Sequence, residues 1–559
     1  METEFNLLDE KWIRLRGKNC TVDELPLIDT LLHAHEYKGL AGELPTQDVA
    51  ILRLLLAILH TVFYYYAPDG EEEILEDPDD VLDRWEELWN AGRFPEEPIR
   101  KYFDKWHDRF WLFHPERPFY QSVETADEKT AAEFKAAKIN SSISESNNKT
   151  RIFASRAGKE KAQLNYAEAA RWLVHMQAFD DGSNERGKGV KAIGVSWLGN
   201  LGIIVAHGNN LFEDLMLNMI VLDGNRDVWE EEKPVWEQKP CSEPRREVPH
   251  PRSLSELYTL QSRRIFLYRE NGYVTKCNIC GGDYYEKNTY ALIEPMTLWK
   301  MEGKKDSVEG EKRIPKTHNI SRQMWREFAT CFPHENDKTC PGIVSWICYL
   351  NGKKIIENNK YISFDICSVE YDKMKSCYED IFSDGITFHT DLLAEVSTST
   401  RIYDKIMEEI TVIDQIADAL ETLYGNIAIA SGYQKNTDNG AKKLTEIKNR
   451  VKEKFYHEVD VPFRVWLKEV DPTMEAMSMA ETECFQKWHK RVLKITMGVK
   501  NEIVESAGPV AMVGRDVKVN EKKTMYYSLP KACNIFTGKL REICKELKSN
   551  ISPKEETND

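Results

Sequence analysis

The chain carries 559 residues, with 92 acidic side chains against 76 basic ones and a formal net charge of −16. Hydrophobic residues make up 41% and charged residues 30%, which excludes wholesale disorder and fits a soluble chain of roughly two to four domains. The acidic balance excludes a protein that coats nucleic acid indiscriminately, but not one that touches it through local basic segments.

The start, METEFNLLDEKW, is acidic where a secretory signal needs a basic region and an apolar core, so a cytoplasmic protein is expected. Scattered cysteines with one close pair, Cys277 and Cys280, agree with a reducing compartment. FNLLDEKWIRL alternates apolar and polar residues and predicts an opening strand. The most apolar run, residues 49–67, is interrupted by Arg53 and His60 and is short for a bilayer span. It reads as a buried core helix, and no membrane partner is expected. Helical patterns follow at 47–67, 80–92 and 97–109. WLFHPERPFYQ (111–121) is aromatic and Pro-punctuated, so it reads as a packed connection. Residues 125–165 read as a long polar loop, 167–179 as a helix and 181–194 as a glycine-rich basic loop.

The stretch 230–380 mixes short strands with Pro, Gly and Cys, and Glu270-Asn271-Gly272 marks a hairpin turn. From about residue 391 apolar positions recur every three to four residues, from Ile406 and Ile410 to Ile427, Leu444 to Phe455, Phe485 to Val499, and Ile535 to Leu547. Breakers join these four stripes, which predict a helical bundle. The expected fold class is therefore α+β: residues 1–390 a large mixed N-terminal domain, residues 391–559 a C-terminal four-helix bundle.

Two segments concentrate positive charge. The first holds Lys149, Arg151, Arg156, Lys159 and Lys161 around Phe153, Ala154 and Ser155. The second holds Arg186, Lys188 and Lys191 among Gly182, Gly187, Gly189 and Gly194. Cations neutralise phosphates, and glycines let backbone approach a ligand closely. The plainer alternative is a pair of solvated loops. Cys277 and Cys280 supply half of a tetrahedral zinc site; Cys331, His334 and Cys340 are the residues that would complete it. No phosphate-binding loop, zincin or nucleophile-elbow motif is present, and His114, His175 and His250 lack a local orienting partner.

Taken in order, FNLLDEKWIRL, HPERPFYQ, the loop at Phe153, LVHMQAF with its glycine-rich sequel, the Cys pair and the closing helices resemble the CasA family, the large subunit of the type I-E CRISPR surveillance complex Cascade. The resemblance implies a non-catalytic subunit. It would recognise the PAM in double-stranded target DNA, promote duplex opening and R-loop formation, sit among guide RNA-containing Cascade subunits and recruit the Cas nuclease-helicase. It places a minor-groove loop tip at Phe153, Ala154 and Ser155, flanked by Lys149, Arg151 and Arg156. A duplex-facing glycine loop falls at Gly182, Arg186, Gly187, Lys188, Gly189 and Lys191, and a strand-separating wedge at Glu370, Tyr371 and Lys373. Relatives that bind zinc pair the Cys277/Cys280 motif with a second one, and LNYA (164–167) has no cysteine there, so no cofactor is expected unless zinc finds other ligands. Two other readings stay open at this point: a metal-dependent nuclease with a zinc knuckle, and a purely architectural subunit.

Overall fold

The computed structural model describes residues 2–549 apart from 76, 144, 146–153, 183–193, 224–225, 228–230, 286–293, 303–311, 317, 319–321, 333–338, 357–359, 373–376, 394–396, 434–437 and 521–522. Helices and strands are mixed along the chain, which divides into two compact units, Met1–Ile386 and Thr387–Asp559.

The first unit opens with β1 (Glu4–Asn6), β2 (Ile13–Arg16), β3 (Val22–Leu25) and β4 (Gly39–Leu40). The single opening strand expected from alternation is thus two strands separated by a turn. The turn lets Leu7, Leu8 and Trp12 all enter the core, and the Trp12 indole donates to the Leu7 carbonyl at 2.9 Å. Next comes α1 (Pro45–Tyr65), started by a proline at its first position, where a missing N–H costs nothing. Every residue from Val49 to Phe63 is buried, as befits a helix apolar on all sides. Its one arginine, Arg53, is held between the rings of Trp197 and Tyr258 and forks onto Glu294 at 3.0 and 2.9 Å. A buried guanidinium needs such a partner, because an unpaired charge in a core is expensive.

Helices α2 (Pro78–Ala91) and α3 (Glu96–Trp106) follow, then β5 (Trp111–Phe113), which pairs antiparallel with β1. After β6 (Ala132–Lys135) the chain reaches α4 (Tyr166–Phe179), which packs along α1. Two three-stranded sheets complete the framework. In one, β9 (Tyr273–Gly281) lies between β8 (Arg263–Glu270) and β6. In the other, β10 (Tyr361–Tyr371) lies between β11 (Tyr378–His389) and β7 (Ile203–His207). The β8–β9 turn has φ of 52° at Asn271 and 80° at Gly272. Two left-handed residues make the turn whose twist matches the strands, which is why the pair is Asn-Gly.

The second unit carries α5 (Ser397–Ser431), α6 (Asp438–Glu469), α7 (Met479–Glu505) and α8 (Leu529–Ser549). α5 packs against α6 and α8, and α6 against α7. The predicted stripe on α5 is buried throughout, from Ile406 to Ile427. Between α6 and α7 the indoles of Trp466 and Trp488 stack 4.9 Å apart, with Phe463 and Phe485 edge-on to them. Ile535 departs from its expected stripe and is 38% exposed, while Phe536 beside it is buried. Sequence patterning also misses a hairpin between α7 and α8, formed by β12 (Arg515–Asn520) and β13 (Lys523–Tyr527).

Candidate nucleic-acid interface

The site is built on α4. Its start is fixed by a reciprocal cap: the Asn165 side chain accepts from the Glu168 N–H at 2.8 Å, and the Glu168 carboxylate accepts from the Asn165 N–H at 3.2 Å. Its end, Phe179 to Asp181, is where three chain segments are rooted.

The first root belongs to the segment containing Phe153. It leaves the single helical turn Ala136–Ile139, whose Lys138 is buried and donates to Asp180 at 2.9 Å and also to Asp181. Its two sides approach where the hydroxyls of Ser142 and Ser155 lie 3.4 Å apart and Lys161 meets Glu145 at 2.6 Å. Lys149, Arg151 and Phe153 lie outside the described residues. Ala154 is half-buried and Ser155 exposed. Arg156 is not left for a phosphate in this arrangement: its guanidinium pairs with Glu168 at 2.6 Å, which ties the segment to the start of α4.

The second root belongs to the glycine-rich segment. Gly182 is buried, part of the anchor rather than of an exposed loop; Arg186, Gly187, Lys188, Gly189 and Lys191 lie outside the described residues. Arg263, on β8, spans the two ends of that segment. Its Nη2 donates to the Asp181 carbonyl at 3.0 Å and to the Gly194 carbonyl at 2.7 Å, while its Nε donates to the Asp180 carboxylate at 2.7 Å. Ser196 reinforces the exit, its N–H donating to the Asp180 carbonyl at 2.9 Å and its hydroxyl to the Met176 carbonyl at 2.7 Å. Lys138, Arg263, Asp180 and Asp181 are all buried, two cations against two acids. Burial opposes every charge here, yet the two cations hold Asp180 below the usual carboxylate range and the two acids hold Lys138 above the usual lysine range.

The third root belongs to the β10–β11 turn. Tyr371 donates to the Phe179 carbonyl at 2.6 Å, and Tyr378 donates to the same oxygen at 2.7 Å while lying 3.1 Å from the Ser141 hydroxyl. The Tyr371 ring packs against Gly199 and against Tyr378, with ring centres 5.2 Å apart. This corrects the expectation for Tyr371. A ring packed this way and hydrogen-bonded through its hydroxyl is an anchor, not an aromatic wedge presented to a base step. Glu370 is exposed at the end of β10, and Lys373 lies outside the described residues. Below the roots, His175 on α4 lies 2.9 Å from the Thr46 hydroxyl and 3.3 Å from that of Ser141. The imidazole is fully buried, which pushes its pKa down to about 3, so it is a neutral structural side chain.

The expectation for Cys277 and Cys280 is also corrected. Both fall within the continuous strand β9, where successive side chains alternate between faces. Three positions apart, they point to opposite sides of the sheet, with Cys277 opposite Leu267 and Cys280 opposite Arg264. They cannot converge on one tetrahedral ion, and burial raises the Cys277 thiol far above the range in which it ionises. Cys331 is buried in a separate helical segment, and His334 lies outside the described residues. Among the described residues no three His, Cys, Asp or Glu side chains are grouped to share a metal ion.

The sequence profile of the CRISPR-associated protein Cse1 family matches residues 6–499. The chain belongs to the Cse1 family. The CasA/Cse1 protein of Thermus thermophilus is 30% identical over 339 residues, which span 60% of this chain and 61% of that relative. The crystal structure of Thermobifida fusca Cse1 superposes with a TM-score of 0.78 at 26% identity, covering 98% of each chain. A chain of a CRISPR RNA-guided surveillance complex shares the fold at a TM-score of 0.61 and 16% identity, covering 90% of this chain and all of that one. The Cse1 fold is thus present across both units.

Proposed function

We propose that this Cse1 protein is the non-catalytic large subunit of a cytoplasmic type I-E Cascade complex. In it, the chain recognises the PAM in double-stranded target DNA, promotes duplex opening and R-loop formation, and recruits the Cas nuclease-helicase. The observation that carries the reading is the common root. The segment with Phe153, the segment with Lys188 and the turn with Lys373 are separated widely in sequence, yet the described residues flanking all three are fastened at the end of α4, at Phe179 to Asp181. Segments rooted together can engage one short duplex element together, cations on phosphates and loop tips in the groove, while guide RNA reads the remaining sequence. Tyr371 and Tyr378 then anchor the two strands that flank the wedge, and Lys373 meets the DNA. The four long helices of the second unit, read as a four-helix bundle, serve contacts with the guide RNA-containing subunits and the displaced strand. Among the described residues no carboxylate cluster supports a nuclease reading, and two-metal chemistry needs clustered ligands.

The test is binding of PAM-containing and PAM-mutated duplexes by surveillance complex assembled with and without this chain. Loss of discrimination without the chain is expected; equal discrimination in both assemblies would sink the proposal.

A further inference from the structure

The motif HPERPFYQ is not absorbed by the three roots. Its second half folds over a cavity of about 70 Å³ walled by Arg109, Arg117, Lys239 and Arg246. A water needs only about 10–15 Å³ of such space, so there is room for several waters or one tetrahedral oxyanion. Three carboxylates, Glu116, Glu124 and Asp283, also line it. Glu124 accepts from the Ser122 hydroxyl at 3.1 Å, and Asp283 is shared by two arginines, Arg246 at 2.8 Å and Arg264 at 2.6 Å. Among the described residues, Arg109, Arg117 and Lys239 have no ion-pair partner, leaving local positive charge in a chain of net charge −16. Arg109 is half-buried, so part of its hydration is already lost, and the neighbouring Arg117 adds repulsion. Tyr120, in the lining, is held in a costly conformation: its φ is 54°, its ring is stacked on Phe119 at 4.3 Å, and Gln177 of α4 donates to its carbonyl at 3.3 Å.

We infer that this cavity binds a phosphate group through Arg109 and Arg117, presented by a nucleic-acid backbone or as free phosphate. Guanidinium forks match phosphate oxygens, and an anion relieves the repulsion between the two cations. The pocket shares no side chain with the segments assigned to PAM recognition, so its test succeeds or fails independently of theirs. Isothermal titration of the full-length chain at low salt would use inorganic phosphate in one arm and a short single-stranded oligodeoxythymidylate in the other. Binding in the phosphate arm assigns the site to free phosphate, and binding in the oligonucleotide arm alone assigns it to nucleic acid. In either case replacing each guanidinium, Arg109→Gln or Arg117→Gln, weakens binding about tenfold or more. Arg117→Gln, on an exposed side chain, keeps the test valid if Arg109→Gln misfolds. No binding in either arm, or binding that survives both substitutions, overturns the inference.

Discussion

Tyr371 and His175 show how single side chains near the roots hold the site together. Tyr371→Phe deletes the hydroxyl that reaches the Phe179 carbonyl and leaves the ring in place. The expected result is a loss of about 1 kcal/mol in stability, read by denaturant unfolding. An unchanged unfolding midpoint would mean the anchor contributes nothing. His175 gives the site an acid sensitivity. It is neutral when folded, with a pKa pushed down by burial to about 3, and titrates near 6.5 when unfolded. The folded value is depressed, so its contribution is whole above about pH 6.5 and drains away as pH falls toward about 3. Stability should therefore drop by up to about 1.4 kcal/mol per pH unit on this account across that window. His60, buried and depressed to about the same value, acts in parallel. His175→Gln makes the acid limb shallower by one proton's share. A limb of unchanged slope would show that His175 already binds its proton when folded.

At the scale of elements, α4 is the part on which the site depends, and its cap is testable. Asn165→Ala removes the acceptor for the Glu168 N–H and should cost about 1 kcal/mol. It also frees Glu168 to move, which loosens its pair with Arg156, so proteolysis within 144–156 should quicken; an unchanged cleavage rate would separate cap from loop. β9 offers a second test: with Cys277 and Cys280 on opposite faces, a strong chelator should leave the melting temperature unchanged, and a clear drop would restore a metal site. These elements also show what a sequence discloses. α1, α4 and the Asn271-Gly272 turn were legible because their signals are local: a long, mostly apolar run, a 3.6-residue period, two residues that tolerate positive φ. Cys277 and Cys280 misled because the same spacing chelates on a turning backbone and diverges on a straight strand. The β12–β13 hairpin was hidden among breakers, with too little apolar alternation to announce it. The cluster of Lys138, Asp180, Asp181 and Arg263 was not legible at all, since no periodicity links residues 42 and 83 positions apart.

Across the whole molecule, the acidic surface and the basic segments have complementary effects. On the proposed function, net negative charge would suppress adhesion to arbitrary DNA, and the few cations on the rooted segments would make binding local. Lys188→Ala in assembled complex should weaken binding to all duplexes and lower the salt dependence by about one counterion. A preserved salt slope would remove Lys188 from the phosphate contacts. Joint reading of the PAM by segments fastened to the end of α4 is probed at Arg263. Complex carrying Arg263→Lys or Arg263→Met can be compared with wild type on three targets: a PAM duplex, a PAM-mutated duplex, and a duplex opened in advance by mismatches. The preference for PAM over mutated PAM should fall about tenfold or more, as expected when a buried charge network is broken, while affinity for the pre-opened target holds. An intact PAM preference, or an equal loss on all three targets, would contradict it.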